Sequence, residues 1–148
     1  MGRMTDASRR LAGILLIVLP SVMYGGVTLL TMLIGDPSYM ANPLRQDLWR
    51  AGHAHAGVLL ILSLVALRYV DEAALSPALK HVARTAIPLA AILMPLGFFL
   101  SVLSPGAERP NGLIGFTYAG ALVLAIGVLT LGIGLVRRPS GPEPASRR

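Results

Sequence analysis

Four apolar runs, at residues 11–34, 51–70, 82–103 and 113–136, constrain this chain more than anything else in it. Each reaches the roughly 20 residues that an α-helix needs to cross the hydrocarbon of a bilayer. In that medium a helix satisfies its own backbone donors and acceptors, which isolated strands and loops do not. The runs use nearly all of the 148 residues, so the expected fold is all-α, an integral membrane four-helix bundle with no soluble catalytic domain. A hydrophobic content of 54% with only 14% charged residues agrees with this, as does the mean hydropathy of +0.67. The domain division is then a polar stretch at 1–10, a single transmembrane domain at 11–136, and a tail at 137–148 whose Pro, Ser and Arg content predicts disorder.

The first run could be confused with a signal peptide, since Arg3, Arg9 and Arg10 precede it. It is longer than a signal-peptide core and no small-x-small cleavage pattern follows, so a retained first helix is expected. Orientation follows from the basic residues. Arg3, Arg9, Arg10, Arg68, Lys80, Arg84, Arg137, Arg138, Arg147 and Arg148 flank one side, against Arg45, Arg50 and Arg109 on the other. The positive-inside rule therefore places both termini in the cytoplasm, in what reads as a bacterial inner membrane. The net charge of +6 is scattered beside apolar segments, where lipid headgroups account for it better than nucleic acid does.

Small residues suggest how the helices meet. Gly120, Gly127 and Gly134 recur every seven positions in the fourth run, a smooth stripe against which another backbone can pack closely. Packing within the bundle is the first expectation for this stripe. A homo-oligomer or a larger membrane complex built through the glycine-lined fourth crossing is the second. Pro88 and Pro95 in the third run, and Pro20 in the first, predict local bends.

Chemistry concentrates at one place. The segment 48–60 reads Leu-Trp-Arg-Ala-Gly-His-Ala-His-Ala-Gly-Val-Leu-Leu, and it holds two of the three histidines. On a helix, positions two apart point about 200° apart, so His53 and His55 leave on different sides and do not chelate one ion together. His53 shares its side with Trp49, Arg50, Ala56, Gly57 and Leu60; His55 shares its side with Leu48, Ala51, Gly52, Leu59 and Leu62. The small residues leave room for a neighbouring helix or for a flat cofactor lying edge-on. Imidazole is the commonest ligand of transition metals and a frequent axial ligand of haem, and an ionisable group near the hydrocarbon edge is a functional candidate. His53 and His55 are therefore the candidate metal ligands, with Arg50 placed to meet a haem propionate or a lipid phosphate. The competing expectation is an interfacial anchor of Trp49, Arg50 and the histidines with no cofactor at all.

The His-x-His pattern leading into a long apolar helix resembles the helix of the haem–copper oxidase catalytic subunit, in which two histidines bind two different haems from opposite faces. It is also similar to the corresponding helix of small bacterial four-helix membrane proteins. The resemblance covers about ten residues and implies that His53 and His55 are axial haem ligands, with copper the second choice. The oxidase's copper-binding histidines have no counterpart here, so it implies a haem-binding relative with a redox or sensing role rather than oxygen reduction. A second ligand would come from Met32, Asp36, Tyr39, Met40, Glu108 or Asn111, or from a histidine of another copy.

Other residues support expectations of their own. Asp47 and Arg50 are expected to form a solvated pair across one turn. Tyr24 and Tyr118 are expected to make internal hydrogen bonds, and Lys80, His81 and Arg84 to meet headgroups at the start of the third crossing. Without cysteine, the chain has no disulfide, iron–sulfur cluster or thiolate chemistry. No Asp or Glu lies within the apolar runs, which argues against a carrier driven by a membrane carboxylate. Two functions follow: a small membrane protein binding haem near the extracytoplasmic end of the second crossing, or a cofactor-free structural or accessory subunit of a membrane complex.

Overall fold

The structure is a computed structural model and describes residues 4–137. The tail expected at 137–148 lies outside the described residues but for Arg137, as do the first three residues of the N-terminal stretch. Five α-helices follow one another: α1 (Asp6–Gly35), a single turn α2 (Pro37–Met40), α3 (Pro43–Tyr69), α4 (Pro77–Ser101) and α5 (Gly115–Val136), the last preceded by a 3-10 turn at Gly112–Ile114. Among the described residues four segments are long and apolar enough to cross a membrane: α1 with 30 residues, α3 with 27, α4 with 25, and 25 more from Gly112 to Val136. At 1.5 Å per residue even the shortest spans about 37 Å, more than the hydrocarbon thickness. The chain is a small multi-pass membrane protein with an all-α bundle fold.

The helices start where polar caps and prolines dictate. Asp36, Asn42 and Ser76 each cap a helix whose first residue is Pro37, Pro43 or Pro77. Proline suits that position because its missing N–H has no partner there anyway, and the preceding side chain accepts from the first free amides. Thr5 caps α1 through Ser8 N, and Asn111 caps the 3-10 turn through Leu113 N.

Laterally, α4 is the centre. It packs extensively with α3 and with α5, while α1 rests mainly on α3. The α4–α5 seam is where glycine matters. A Cβ on Gly97 would run into the backbone and hydroxyl of Thr117, one on Gly120 would lie 2.6 Å from Met94 Cγ, and one on Gly127 would lie 2.9 Å from Ala86 Cβ. Gly134 is closed off by Leu75. The stripe of Gly120, Gly127 and Gly134 thus packs inside the chain, against α4 and the α3–α4 loop.

Two apolar clusters lie between the helices. Ala66, Val70, Ala73, Ala83, Ile87 and Leu131 join α3, α4, α5 and the α3–α4 loop. Leu15, Leu60 and Leu67 join α1 to α3. The outer surface is apolar, as lipid contact demands: Ile17 is 80% exposed, and Tyr24 and Tyr118 are 73% and 71% exposed. The internal hydrogen bonds expected of those two tyrosines are not made, because both point away from the bundle.

Candidate functional site

Asn42 decides where the histidines sit. Its side chain accepts from Arg45 N and starts α3 eight residues before the apolar run begins. His53 therefore lies in the third turn of α3 and His55 in the fourth, rather than at the helix entrance. The Asn42 amide also donates to Pro105 O (2.9 Å) and Ala107 O (3.0 Å), which ties the α4–α5 loop to this end of α3.

As their spacing predicts, the rings face different neighbours. His55 turns toward α4 and lies 5.0 Å from the Phe98 ring at an interplanar angle of 36°. Its Nδ1 donates to Ala51 O at 2.7 Å, since a carbonyl can only accept. Gly52 allows this approach, for a Cβ there would sit 3.0 Å from Phe99 and 3.1 Å from Phe98. His55 is thereby closed in by its own helix and by α4.

His53 turns toward α1, where two consecutive glycines receive it. A Cβ on Gly26 would lie 2.9 Å from His53 Nε2 and 3.1 Å from Cε1, whereas one on Gly25 would clear Nδ1 at 3.7 Å. The imidazole borders a cleft of about 260 Å³ between α1 and α3, lined by Gly26, Leu29, Leu30, Leu33, Tyr39, Arg50 and His53. Leucine and glycine make up most of its wall, with His53 set against Gly26 and Tyr39 contributed by α2, and an apolar cleft with a few polar groups is the general form of a small-molecule site. The volume falls just short of the roughly 300–1,000 Å³ usual for such sites, so a ligand here projects beyond it.

Beside the cleft an aromatic cluster closes the same end of the bundle. Trp49 donates through Nε1 to Phe99 O at 3.1 Å, and its ring lies 5.8 Å from Tyr39 and 6.0 Å from Phe99. The Arg45 guanidinium carbon sits 4.1 Å from the Trp49 centroid. Gln46 donates to Tyr39 O and Met40 O, both at 3.0 Å, and so fixes α2 against α3. Burial pushes the Tyr39 phenol above its ordinary pKa, against a smaller opposing pull from Arg50 and Arg45. Asp36 is held below its usual value, first by the Ser38 side chain and then by the Tyr39 amide. Arg50 pairs with Asp47 at 2.8 Å, the side chains being 54% and 72% exposed, so this is the solvated pair the sequence predicts.

Among the other ligand candidates only Tyr39 joins His53 at the cleft. Asp36 caps α2, Met40 is 46% exposed, and Asn111 donates to Leu100 O while capping the 3-10 turn. Glu108 lines a separate surface cleft with Ser38 and Asn42. Among the described residues no three His, Asp or Glu side chains come together as a metal site.

Sequence reasoning missed a second polar centre, at the opposite end of α1. Asp71 accepts from Thr5 N at 3.0 Å, from the Thr5 hydroxyl, and from Arg84 Nη2 at 2.9 Å. Arg84 Nε also donates to Ser8 Oγ at 3.0 Å, and Ser8 is fully buried. Lys80 donates to Asp71 O at 2.8 Å. Lys80 and Arg84 therefore turn inward to the loop and to α1, while His81 alone of the three remains exposed. Burial would raise the Asp71 carboxyl, but the hydrogen bonds from Thr5, Ser8 and Arg84 outweigh it and leave the carboxyl below its usual range. The readable signal was the pairing of an N-terminal Thr-x-x-Ser with Asp71, the first of two acids directly after the second run. No protein-family model, no curated protein and no solved structure matches the chain.

Proposed function

We propose that this is a protein of a bacterial inner membrane, with both termini cytoplasmic, that holds an amphiphilic ligand of the outer leaflet in the α1–α3 cleft for a redox or sensing role. The observation that carries this reading is the His53 imidazole, half-buried against Gly25 and Gly26 on the wall of a largely apolar cleft. Leu29, Leu30 and Leu33 offer a wall for a hydrocarbon tail, and His53 with Tyr39 and Arg50 offers hydrogen bonds to a head. A ligand too large for about 260 Å³ extends along α1 into lipid, which serves an apolar tail well.

The haem reading keeps His53 as axial ligand and Arg50 as propionate partner, because both border the cleft. It asks α1 to part from α3 at Gly26, since Nε2 faces that glycine closely. His55, against Phe98, would need α4 to move as well. Copper would require ligands supplied by a second copy.

The test is to purify the full chain in mild detergent, record its absorption spectrum, and identify co-purifying small molecules by mass spectrometry. A ligand retained by wild type and His55→Ala but lost from His53→Ala and Gly26→Leu supports the cleft. A Soret band that His53→Ala removes would make haem the ligand. Identical extracts from all four proteins would refute the proposal and leave the accessory-subunit reading, for which the strongly exposed flank of α1 at Ile17, Met23 and Tyr24 is the available surface.

A further inference from the structure

Two buried side-chain polar atoms among the described residues have no hydrogen-bond partner, Tyr39 Oη and Arg45 Nε, and both residues pack on Trp49. Tyr39 is 1% exposed and Arg45 7%. A buried donor without an acceptor costs on the order of a lost hydrogen bond, and a buried cation without an anion costs more. Contact with the Trp49 ring uses the face of the guanidinium, whereas its N–H groups lie in the plane and point past the ring. The nearby carboxylates make no bond to Arg45, and Asp36 attracts its charge only from beyond ion-pair distance. Asp36 accepts from Ser38 and from the amides of α2, and Asp47 is paired with Arg50. Arg45 forms no salt bridge among the described residues, while Arg9, Arg50, Arg68 and Arg84 each have one.

We propose that Arg45 and Tyr39 form a cradle for a phosphate oxyanion, carried by the head of an acidic lipid whose tail lies along the leucine wall of the α1–α3 cleft. This deepens the cleft reading and rests on it. Tyr39 links the two, since it lines the cleft and also packs on the Trp49 ring that Arg45 covers. Arginine is suited to this task because its planar donors match a phosphate, and the phenol adds one further donor. Arg50, already neutralised by Asp47 and largely exposed, supplies the rim.

Trp49 is the single tryptophan of the chain and touches both residues, so its emission reports on the cradle directly. The full-length protein in a neutral detergent is titrated with phosphatidylglycerol, with phosphatidylcholine or with inorganic phosphate while Trp49 fluorescence is followed. The expected result is a saturable change with phosphatidylglycerol at least tenfold tighter than with phosphatidylcholine. Tyr39→Phe, which keeps the ring and its packing, weakens it by about tenfold, as loss of a hydrogen bond to a charged group should. Arg45→Gln abolishes it and Arg45→Lys restores part. Inorganic phosphate acting as well as the lipid would keep the oxyanion cradle and make a free anion its occupant. Equal responses to both lipids, or an unchanged response in Tyr39→Phe and Arg45→Gln, would overturn the cradle. If instead those variants keep a co-purified ligand that His53→Ala loses, the cleft stands and the cradle alone fails. If Gly26→Leu leaves the phosphatidylglycerol response intact, the tail does not lie in the α1–α3 cleft, which overturns the proposal as stated and the cleft reading with it, although Arg45 and Tyr39 still bind the head.

Discussion

Gly25 and Gly26 are neighbours on α1, and the position of His53 predicts opposite consequences for the same substitution at each. Replacing glycine by alanine inside a helix gains about 1 kcal/mol from backbone conformational entropy alone. At Gly25 the added methyl would stand 3.7 Å from His53 Nδ1, an ordinary contact, so Gly25→Ala should keep the whole gain. At Gly26 it would stand 2.9 Å from Nε2 and 3.1 Å from Cε1, so the imidazole has to retreat by about half an ångström. The intruding atoms are the far end of a side chain, which can move. The cost therefore falls near the low end of overpacking penalties, about 1–2 kcal/mol, enough to cancel the propensity gain or reverse it.

The assay is equilibrium unfolding in mixed micelles for wild type, Gly25→Ala, Gly26→Ala, His53→Ala and the two double variants. Removing the imidazole should restore the gain at Gly26, giving a coupling of about 1–2 kcal/mol between Gly26 and His53 and about zero between Gly25 and His53. If Gly26→Ala stabilises as much as Gly25→Ala and shows no coupling, His53 does not rest against α1. The cleft would then lose its histidine, and the proposed function would go with it.

Other expectations follow from the same contacts. At the α4–α5 seam, Gly97→Ala meets the Thr117 backbone and should cost about 2–3 kcal/mol, while Gly132→Ala, with nothing within 4 Å, should be neutral or stabilising in the same unfolding assay. Asp71→Asn leaves Arg84 without its carboxylate in a site where the two side chains are 10% and 15% exposed, and should cost about 3 kcal/mol. Because the folded Asp71 carboxyl lies below its unfolded value, its contribution is complete above the unfolded pKa and is lost as pH falls through the folded one. Wild type should therefore lose stability below about pH 4 more steeply than Asp71→Asn does, as measured by unfolding at pH 3 and pH 6. Phe98→Ala should destabilise the bundle by about 3 kcal/mol yet leave ligand retention at His53 unchanged, because it strips the ring from His55 on the other side of α3.

The four crossings were legible because apolar runs of this length admit no other structure in lipid. Their starts were less so, since the apolar run marks where a helix enters hydrocarbon rather than where its hydrogen bonds begin. The pairs Asp36-Pro37, Asn42-Pro43 and Ser76-Pro77 carried that information, and using them would have placed α3 from Pro43. The divergence of His53 and His55 followed from helical geometry and holds. Which neighbour each would meet did not follow, because Gly25-Gly26 and Phe98-Phe99 find them only once α1 and α4 are seen to flank α3. The glycine stripe of α5 was readable as a close-packing surface, but its target, α4, was not. Tyr24 and Tyr118 misled for a related reason: a hydroxyl suggests a partner inside the bundle, yet both side chains lie on its outer face.

The manner in which α1 is held bears on how a ligand reaches His53. One end is fastened by Thr5 and Ser8 to Asp71 and Arg84, the other by α2, whose carbonyls accept from Gln46. Between them the contacts with α3 are apolar, through Leu15, Leu60 and Leu67. In lipid such contacts are replaced at little cost, since the tails are as apolar as leucine and there is no hydrophobic drive to keep two helices together. Pro20 lies between the fastened ends, where it removes one backbone hydrogen bond and eases bending. α1 can therefore bow away from α3 between its two fastened ends at little cost, and in the proposed reading a ligand enters the cleft through that gap from the side of the bundle. Under the proposed function that route suits a ligand delivered by the membrane itself, whose tail lies against Leu29, Leu30 and Leu33.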